Sequence, residues 1–165
     1  MKEVRKSFKD FKRSLPEEDY VYSTPIFIPK SGESSVELIT IRVSIIFNFA
    51  IARHLRSLTM EGTKRENKLR TTLKLYHWVL SIERSIKEDN SLFGAMPCLG
   101  LINNCAQIHR FLHKVDEADK MFRLLLSSIM LLKEREEDSD TWELDGFLSA
   151  TSHLILKRPG VARAA

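Results

Sequence analysis

Apolar residues recur every three or four positions over most of the chain between residues 36 and 156. This spacing puts apolar side chains on one face of an α-helix. Only 6 glycines and 5 prolines occur among the 165 residues, so few positions break helices or supply the turns that a many-stranded sheet needs. We therefore predict an all-α fold class for residues 36–156, with antiparallel helical hairpins joined by short turns.

Five helices follow from this spacing and from the polar stretches that interrupt it. Thr59–Glu66 is polar and contains a glycine, and we predict it to be a loop. The expected helices cover about residues 36–58, 67–88, 98–113, 116–135 and 142–156. The inner face of the first helix is predicted to carry Leu38, Ile41, Ile45, Phe49, Ala52 and Leu55.

Residues 1–15 are predicted to form a basic amphipathic arm. Val4, Phe8 and Phe11 recur there at helical spacing. Residues 1–13 hold six basic and two acidic side chains, and this excess of four equals the net charge of the whole chain, +4. The basic character therefore belongs to the arm, and the remainder of the chain is neutral.

The other non-helical parts are predicted from their composition. Residues 16–35 read as an extended segment and linker, because a stretch rich in aromatic and β-branched residues is interrupted by Pro25 and Pro29. Residues 157–165 are predicted to be a disordered tail.

Two cysteines are too few for a disulfide framework, and the N-terminal residues lack the apolar run of a signal peptide. We therefore predict a cytoplasmic protein, with the nucleus as an alternative location.

Two stretches share a pattern of small and aromatic residues. In the second stretch, Ala106 is followed twelve positions later by Ala118, and then by Phe122 and Leu125. Small side chains let two antiparallel helices approach closely, and an aromatic ring one turn further on fills the space between them. The corresponding residues of the first stretch are Ala50, Thr72, Tyr76 and Val79. The first stretch is ten residues longer than the second, and we expect the additional residues in the loop near residues 56–66.

This pattern resembles the tetratricopeptide repeat, and the chain is similar to tetratricopeptide-like proteins of diatoms. The resemblance implies a short solenoid of stacked hairpins, capped by the helix at 142–156, that acts as a non-enzymatic scaffold or adaptor. Such a solenoid binds a protein or peptide in a groove lined by the first helix of each hairpin. It implies no catalytic residues and no cofactor. The partner-binding residues expected on the first helices are Asn48, Arg53, Asn103, Asn104 and Arg110.

Other functions remain open. Cys105, His109 and His113 are spaced to lie on one stripe of the third helix, where they could form a metal-binding domain or hydrolase with a fourth ligand. We prefer a buried thiol and histidine there, and we expect no metal and no small-molecule substrate. The arm at 1–15 could pack on the helical body through Phe8 and Phe11, or its basic residues at 2–13 could bind a membrane surface or a partner. Nucleic-acid binding is less favoured because the body adds no net positive charge. Both a monomer and a homodimer are compatible with the sequence.

Overall fold

A computed structural model of the protein describes residues 20–28, 35–85, 92, 94–135 and 142–156. Helices fill this part of the chain apart from residues 20–28 and the short connections, and no β-strand occurs within it, so the predicted all-α class is confirmed. The predicted arm at 1–15 and the tail at 157–165 lie outside the described residues. The helices are α1 (Ser35–Leu58), α2 (Gly62–Ser85), α3 (Ala95–Phe111), α4 (Val115–Arg135) and α5 (Trp142–Leu156).

The helices pack as two hairpins followed by a single helix. Helix α1 packs on α2, and α3 packs on α4. Helix α2 joins the hairpins by packing against α3, and α5 covers α4 and also touches α3. Helix α3 is therefore the central helix, and every side chain from Leu99 to His109 is buried.

The connection between α1 and α2 is shorter than predicted. Helix α2 begins at Gly62 rather than near Asn67, so the predicted loop over Thr59–Glu66 is wrong beyond its first three residues. Lys64, Arg65 and Glu66 have good helix propensity. The Arg65 guanidinium also lies 4.4 Å from the ring centre of Phe111, at the end of α3. The ten additional residues of the first hairpin lengthen its helices, because α1 and α2 have 24 residues each whereas α3 and α4 have 17 and 21.

The buried face of α1 also differs from the prediction. Leu38, Ile45 and Phe49 were expected to point inward, but they are 45%, 50% and 53% exposed. Ile41 and Leu55 are half-buried and Ala52 is exposed. Helix α1 is apolar on more than one side, so its spacing alone does not determine which side packs on α2. The side chains of α1 that are buried instead are Val43, Ser44, Phe47, Ala50, Ile51, His54 and Ser57.

This exposed apolar side gives α1 the composition of a membrane-spanning helix. From Glu37 to Leu58 it is long and apolar enough to cross a membrane by length and composition alone, and 33% of the apolar window is buried inside the protein. A helix at the end of a stack, packed on one partner, has the same composition, so this observation is weak support for a membrane location.

Candidate functional site

Residues 20–28, called the groove segment below, lie across the first helix of each hairpin and α5. The segment has neither helical nor strand structure. The segment thus contacts α1, α3 and α5, although α1 and α3 pack mainly on other helices. The helix residues with described contacts to the segment are Phe47, Asn48, Gly100, Asn103, Asn104, Gly146 and Phe147.

Asn104 on α3 binds both backbone groups of Tyr22. Its Oδ1 accepts a hydrogen bond from the Tyr22 backbone N–H at 2.9 Å, and its Nδ2 donates to the Tyr22 carbonyl at 2.9 Å. The same Nδ2 donates to the hydroxyl of Tyr76 on α2 at 3.1 Å. Asn104 and Tyr22 are buried, and an asparagine amide can supply one acceptor and two donor hydrogens together. One side chain thus fixes the segment on α3 and connects it to α2.

Asn48 on α1 repeats this arrangement at the other end of the segment. Its Oδ1 accepts from the Ile26 backbone N–H at 2.8 Å, and its Nδ2 donates to the Ile26 carbonyl at 2.8 Å. Asn48 and Asn104 occupy equivalent positions, because each lies two residues before a buried alanine, Ala50 or Ala106. The contact at Asn48 is half-buried, in contrast to the buried contact at Asn104.

Asn103 adds a third backbone contact. Its Nδ2 donates to the Tyr20 carbonyl at 2.8 Å and lies 3.4 Å from Oδ1 of Asn104. The three asparagines therefore bind the backbone of residues 20, 22 and 26, which are separated by even numbers. Side chains and backbone groups repeat every two residues in an extended chain, so this pattern is the one expected of an extended peptide lying on the helices.

A series of aromatic ring pairs connects α5, through the segment and α1, to α2. The rings of Tyr20 and Phe147 meet edge to face with centres 5.3 Å apart. The Tyr22 ring stacks on Phe147 at 5.8 Å and lies 6.4 Å from Phe47, which in turn meets Tyr76 at 6.1 Å. Such pairs add about 0.5–1.5 kcal/mol each beyond their burial. The tyrosine end of the segment is therefore part of the hydrophobic core.

Of the two predicted arginines, Arg53 contacts residues of its own hairpin. The guanidinium of Arg53 donates to the hydroxyl of Thr71 on α2 at 2.7 Å and lies 5.4 Å from the ring centre of Phe49. Arg53 and Arg110 are both half-buried. The structure thus brings the three predicted asparagines together on one extended segment, whereas Arg53 contacts its own hairpin.

The stripe of possible metal ligands on α3 is interrupted. Helix α3 ends at Phe111, not at His113 as predicted, because His113 adopts a left-handed conformation with φ of 57°. The backbone N–H of Lys114 bonds to the carbonyl of His109 at 2.9 Å, and that of His113 bonds to the carbonyl of Arg110 at 3.0 Å. These two bonds close the helix end as a Schellman motif. His113 therefore does not continue the stripe, and the described residues contain no group of three or more His, Cys, Asp or Glu side chains placed to share a metal ion.

The environment of the remaining two residues favours their neutral forms. Burial raises the pKa of the Cys105 thiol far above its usual value, so the thiol stays protonated at neutral pH, and a thiol in that form is a poor nucleophile and metal ligand. Burial, together with the nearby His77 and Lys114, lowers the pKa of His109. Its ring centre lies 5.6 Å from that of His77 on α2. This pair is consistent with the structural role that we preferred from the sequence.

Several contact residues were not predicted from the sequence. Tyr20 and Tyr22 were assigned only to an extended segment, and Gly100, Gly146 and Phe147 were given no contact with that segment. The alternation of aromatic residues at 20 and 22 is a signal of an extended segment with one buried side. The glycines inside α3 and α5 are a second signal, because glycine within a helix often marks a close approach of another part of the chain.

Comparisons with protein-family models, with curated proteins and with solved structures give no match to this chain.

Proposed function

We propose that this chain is a non-enzymatic interaction module that binds an extended peptide of a partner protein in the groove formed by α1, α3 and α5. The observation that carries the proposal is the set of asparagine–backbone bonds to Tyr20, Tyr22 and Ile26. Bonds to backbone groups hold any extended chain, while pockets for alternate side chains supply specificity. A groove built this way can therefore accept a peptide from another protein in place of the chain's own segment.

The burial of the repeat positions supports a tetratricopeptide-like arrangement of the hairpins. All eight residues of the shared pattern are buried. Helix α5 packs on α4 as α3 packs on α2. It therefore suits the role of the first helix of a third, incomplete hairpin that caps the stack. In such an arrangement α1, α3 and α5 line the concave face, where an extended ligand lies. The eight positions are Ala50, Thr72, Tyr76, Val79, Ala106, Ala118, Phe122 and Leu125.

The groove segment acts in this proposal as an internal occupant. A segment joined to its binding site by a short linker experiences an effective concentration of the order of millimolar. An external peptide must therefore bind more tightly than the segment, or the segment must be weakened first. The tyrosine end is buried whereas Phe27 is 86% exposed, so displacement is expected to begin at the Ile26 end.

A peptide-exchange assay tests the proposal. A synthetic fluorescent peptide with the sequence Tyr-Val-Tyr-Ser-Thr-Pro-Ile-Phe-Ile is titrated into the full chain and into the double variant Tyr20→Ala/Tyr22→Ala, with anisotropy as the readout. We expect binding to the double variant to be at least about ten-fold tighter, because the internal competitor is weakened. Adding Asn48→Ala and Asn104→Ala to that variant should abolish binding.

A second arm of the assay keeps the tyrosines in case the double variant fails to fold. A protease site is inserted after Gly32, the folded chain is cleaved, and the labelled peptide is added. Exchange of the peptide into the cleaved protein, and its loss in the Asn104→Ala variant, would support the groove. Binding that is unchanged by both asparagine substitutions, or no binding in either arm, would overturn the proposal.

A further inference from the structure

Two glycines in the middle of helices lie directly beneath the two tyrosine rings of the groove segment. A Cβ atom placed on Gly146 of α5 would lie 2.5 Å from Cε2 of Tyr20. One placed on Gly100 of α3 would overlap the ring of Tyr22 well inside van der Waals contact. Glycine within a helix costs about 1 kcal/mol relative to alanine. Here the absence of a Cβ allows each tyrosine ring to pack directly on the helix backbone.

The surroundings of the two rings are apolar and aromatic. Phe147 lies between them, edge to face with Tyr20 and stacked on Tyr22. Val21, between the two tyrosines, is also buried. The other end of the segment has no such enclosure, because Ile26 is half-buried and Thr24 and Pro25 are exposed. Side-chain selection is therefore concentrated at residues 20–22, where the two large rings make the aromatic contacts.

We infer that the groove selects extended peptides that carry aromatic residues at two positions separated by one residue. This inference rests on the proposed peptide-binding function and assigns its ligand class. The asparagines hold the backbone whatever the sequence is, and Gly146 and Gly100 are the specificity-determining residues for the first and second aromatic ring. An alanine at either glycine excludes a ring from that position while leaving space for a small side chain.

A panel of unlabelled peptides competing against the labelled one tests the inference on the Tyr20→Ala/Tyr22→Ala chain and on the cleaved chain. The panel contains the parent sequence, the peptides with Tyr20→Ala or Tyr22→Ala, and the peptide with both changes. We expect each single change to weaken competition by about ten-fold or more, since a large aromatic contact is lost. The double change should weaken competition further.

A groove variant provides the matched control. In a chain that carries Gly146→Ala, the parent peptide and the peptide with Tyr20→Ala should compete equally, while the preference for tyrosine at position 22 persists. Equal competition by all four peptides in the unmodified groove would overturn the inference and leave the proposed function standing. Failure of the parent peptide itself to bind would instead reject the proposed function, so the two failures are distinguishable.

Discussion

Helices α1 and α3 are the first helices of their hairpins and carry equivalent residues 56 positions apart. Asn48 and Asn104 both pair with backbone groups of the groove segment. Helix α3 is surrounded by α2, α4, α5 and the segment, whereas α1 packs mainly on α2 and leaves one apolar side exposed. The asparagine–backbone contact is therefore buried in the core in the second hairpin, whereas in the first hairpin it lies near the surface. Equivalent substitutions in the two helices should have very different effects.

The largest difference is expected at the equivalent apolar positions 45 and 101. Leu101 is fully buried, and Leu101→Ala should lower the free energy of unfolding by about 2–5 kcal/mol through lost burial and a new cavity. Ile45 is half-exposed, and Ile45→Ala should cost less than about 0.5 kcal/mol, as for most surface substitutions. Urea unfolding of both variants measures the difference. Similar losses in the two variants would mean that α1 is covered as fully as α3.

The next difference is expected at the two asparagines. Asn104→Ala removes the hydrogen bonds of this side chain to the N–H and carbonyl of buried Tyr22 and to the hydroxyl of Tyr76, which should cost about 3 kcal/mol. Asn48→Ala exposes the backbone of Ile26 to water and should cost about 1 kcal/mol. Chemical denaturation measures both values. An equal cost for both substitutions would show that burial does not distinguish the two contacts.

Acid is expected to destabilise the protein through His54, on the buried side of α1. Burial and the nearby Arg65 lower the pKa of His54 from 6.5 to about 3, and neither ring nitrogen has a hydrogen-bond partner within the described residues. Below pH 6.5 the unfolded chain binds a proton that the folded chain excludes. Stability is thus complete above pH 6.5 and falls toward pH 3, by about 2 kcal/mol at pH 5.

The variant His54→Phe is the control for this effect. It keeps a ring beside Tyr76 and removes the titrating group, so it should reduce the loss of stability between pH 7 and pH 5. Burial also lowers the pKa values of His77 and His109, and these act in the same direction, so a smaller acid effect should remain. A pH dependence that is identical in the variant and the parent would exclude His54 as its source.

The smallest effect is expected at Ser44, and the substitution at the equivalent position 100 should have the opposite sign. The Ser44 hydroxyl on α1 is buried with no hydrogen-bond partner among the described residues, so Ser44→Ala should stabilise the protein by about 0.5–1 kcal/mol. Gly100→Ala should instead destabilise it, because the added Cβ meets the ring of Tyr22 despite the gain in helix propensity. Thermal unfolding compares the two variants. A gain of stability in both would show that the Tyr22 ring does not occupy the space beside Gly100.

The sequence predicted the helices but did not predict that residues 20–28 lie against them. The shared pattern placed Asn48, Asn103 and Asn104 on the first helices, and all three contact the segment. The pairing of Asn104 with Tyr22 joins residues 82 positions apart, and no local pattern encodes such a separation. The inner side of α1 was wrongly predicted for a related reason, because its exposed side is as apolar as its buried side.

The predicted helix ends were wrong where tertiary contacts or unusual backbone conformations determine them. The start of α2 was predicted too late, since Arg65 packs on Phe111 and supports a polar first turn. The end of α3 was predicted too late, because His113 adopts the left-handed conformation that glycine usually takes at a helix end. Both features depend on contacts or dihedral angles that residue type does not specify.

Residue-resolved amide hydrogen exchange of the full chain tests the central claim most directly. The claim is that the groove segment lies on the helices through asparagine–backbone bonds. The Tyr22 and Ile26 amides should exchange more slowly than those of the exposed Thr24 and Phe27, by about a hundred-fold for Tyr22. In the Asn104→Ala variant, protection should be lost at Tyr22. Uniformly fast exchange over residues 20–28 in the parent chain would contradict the account.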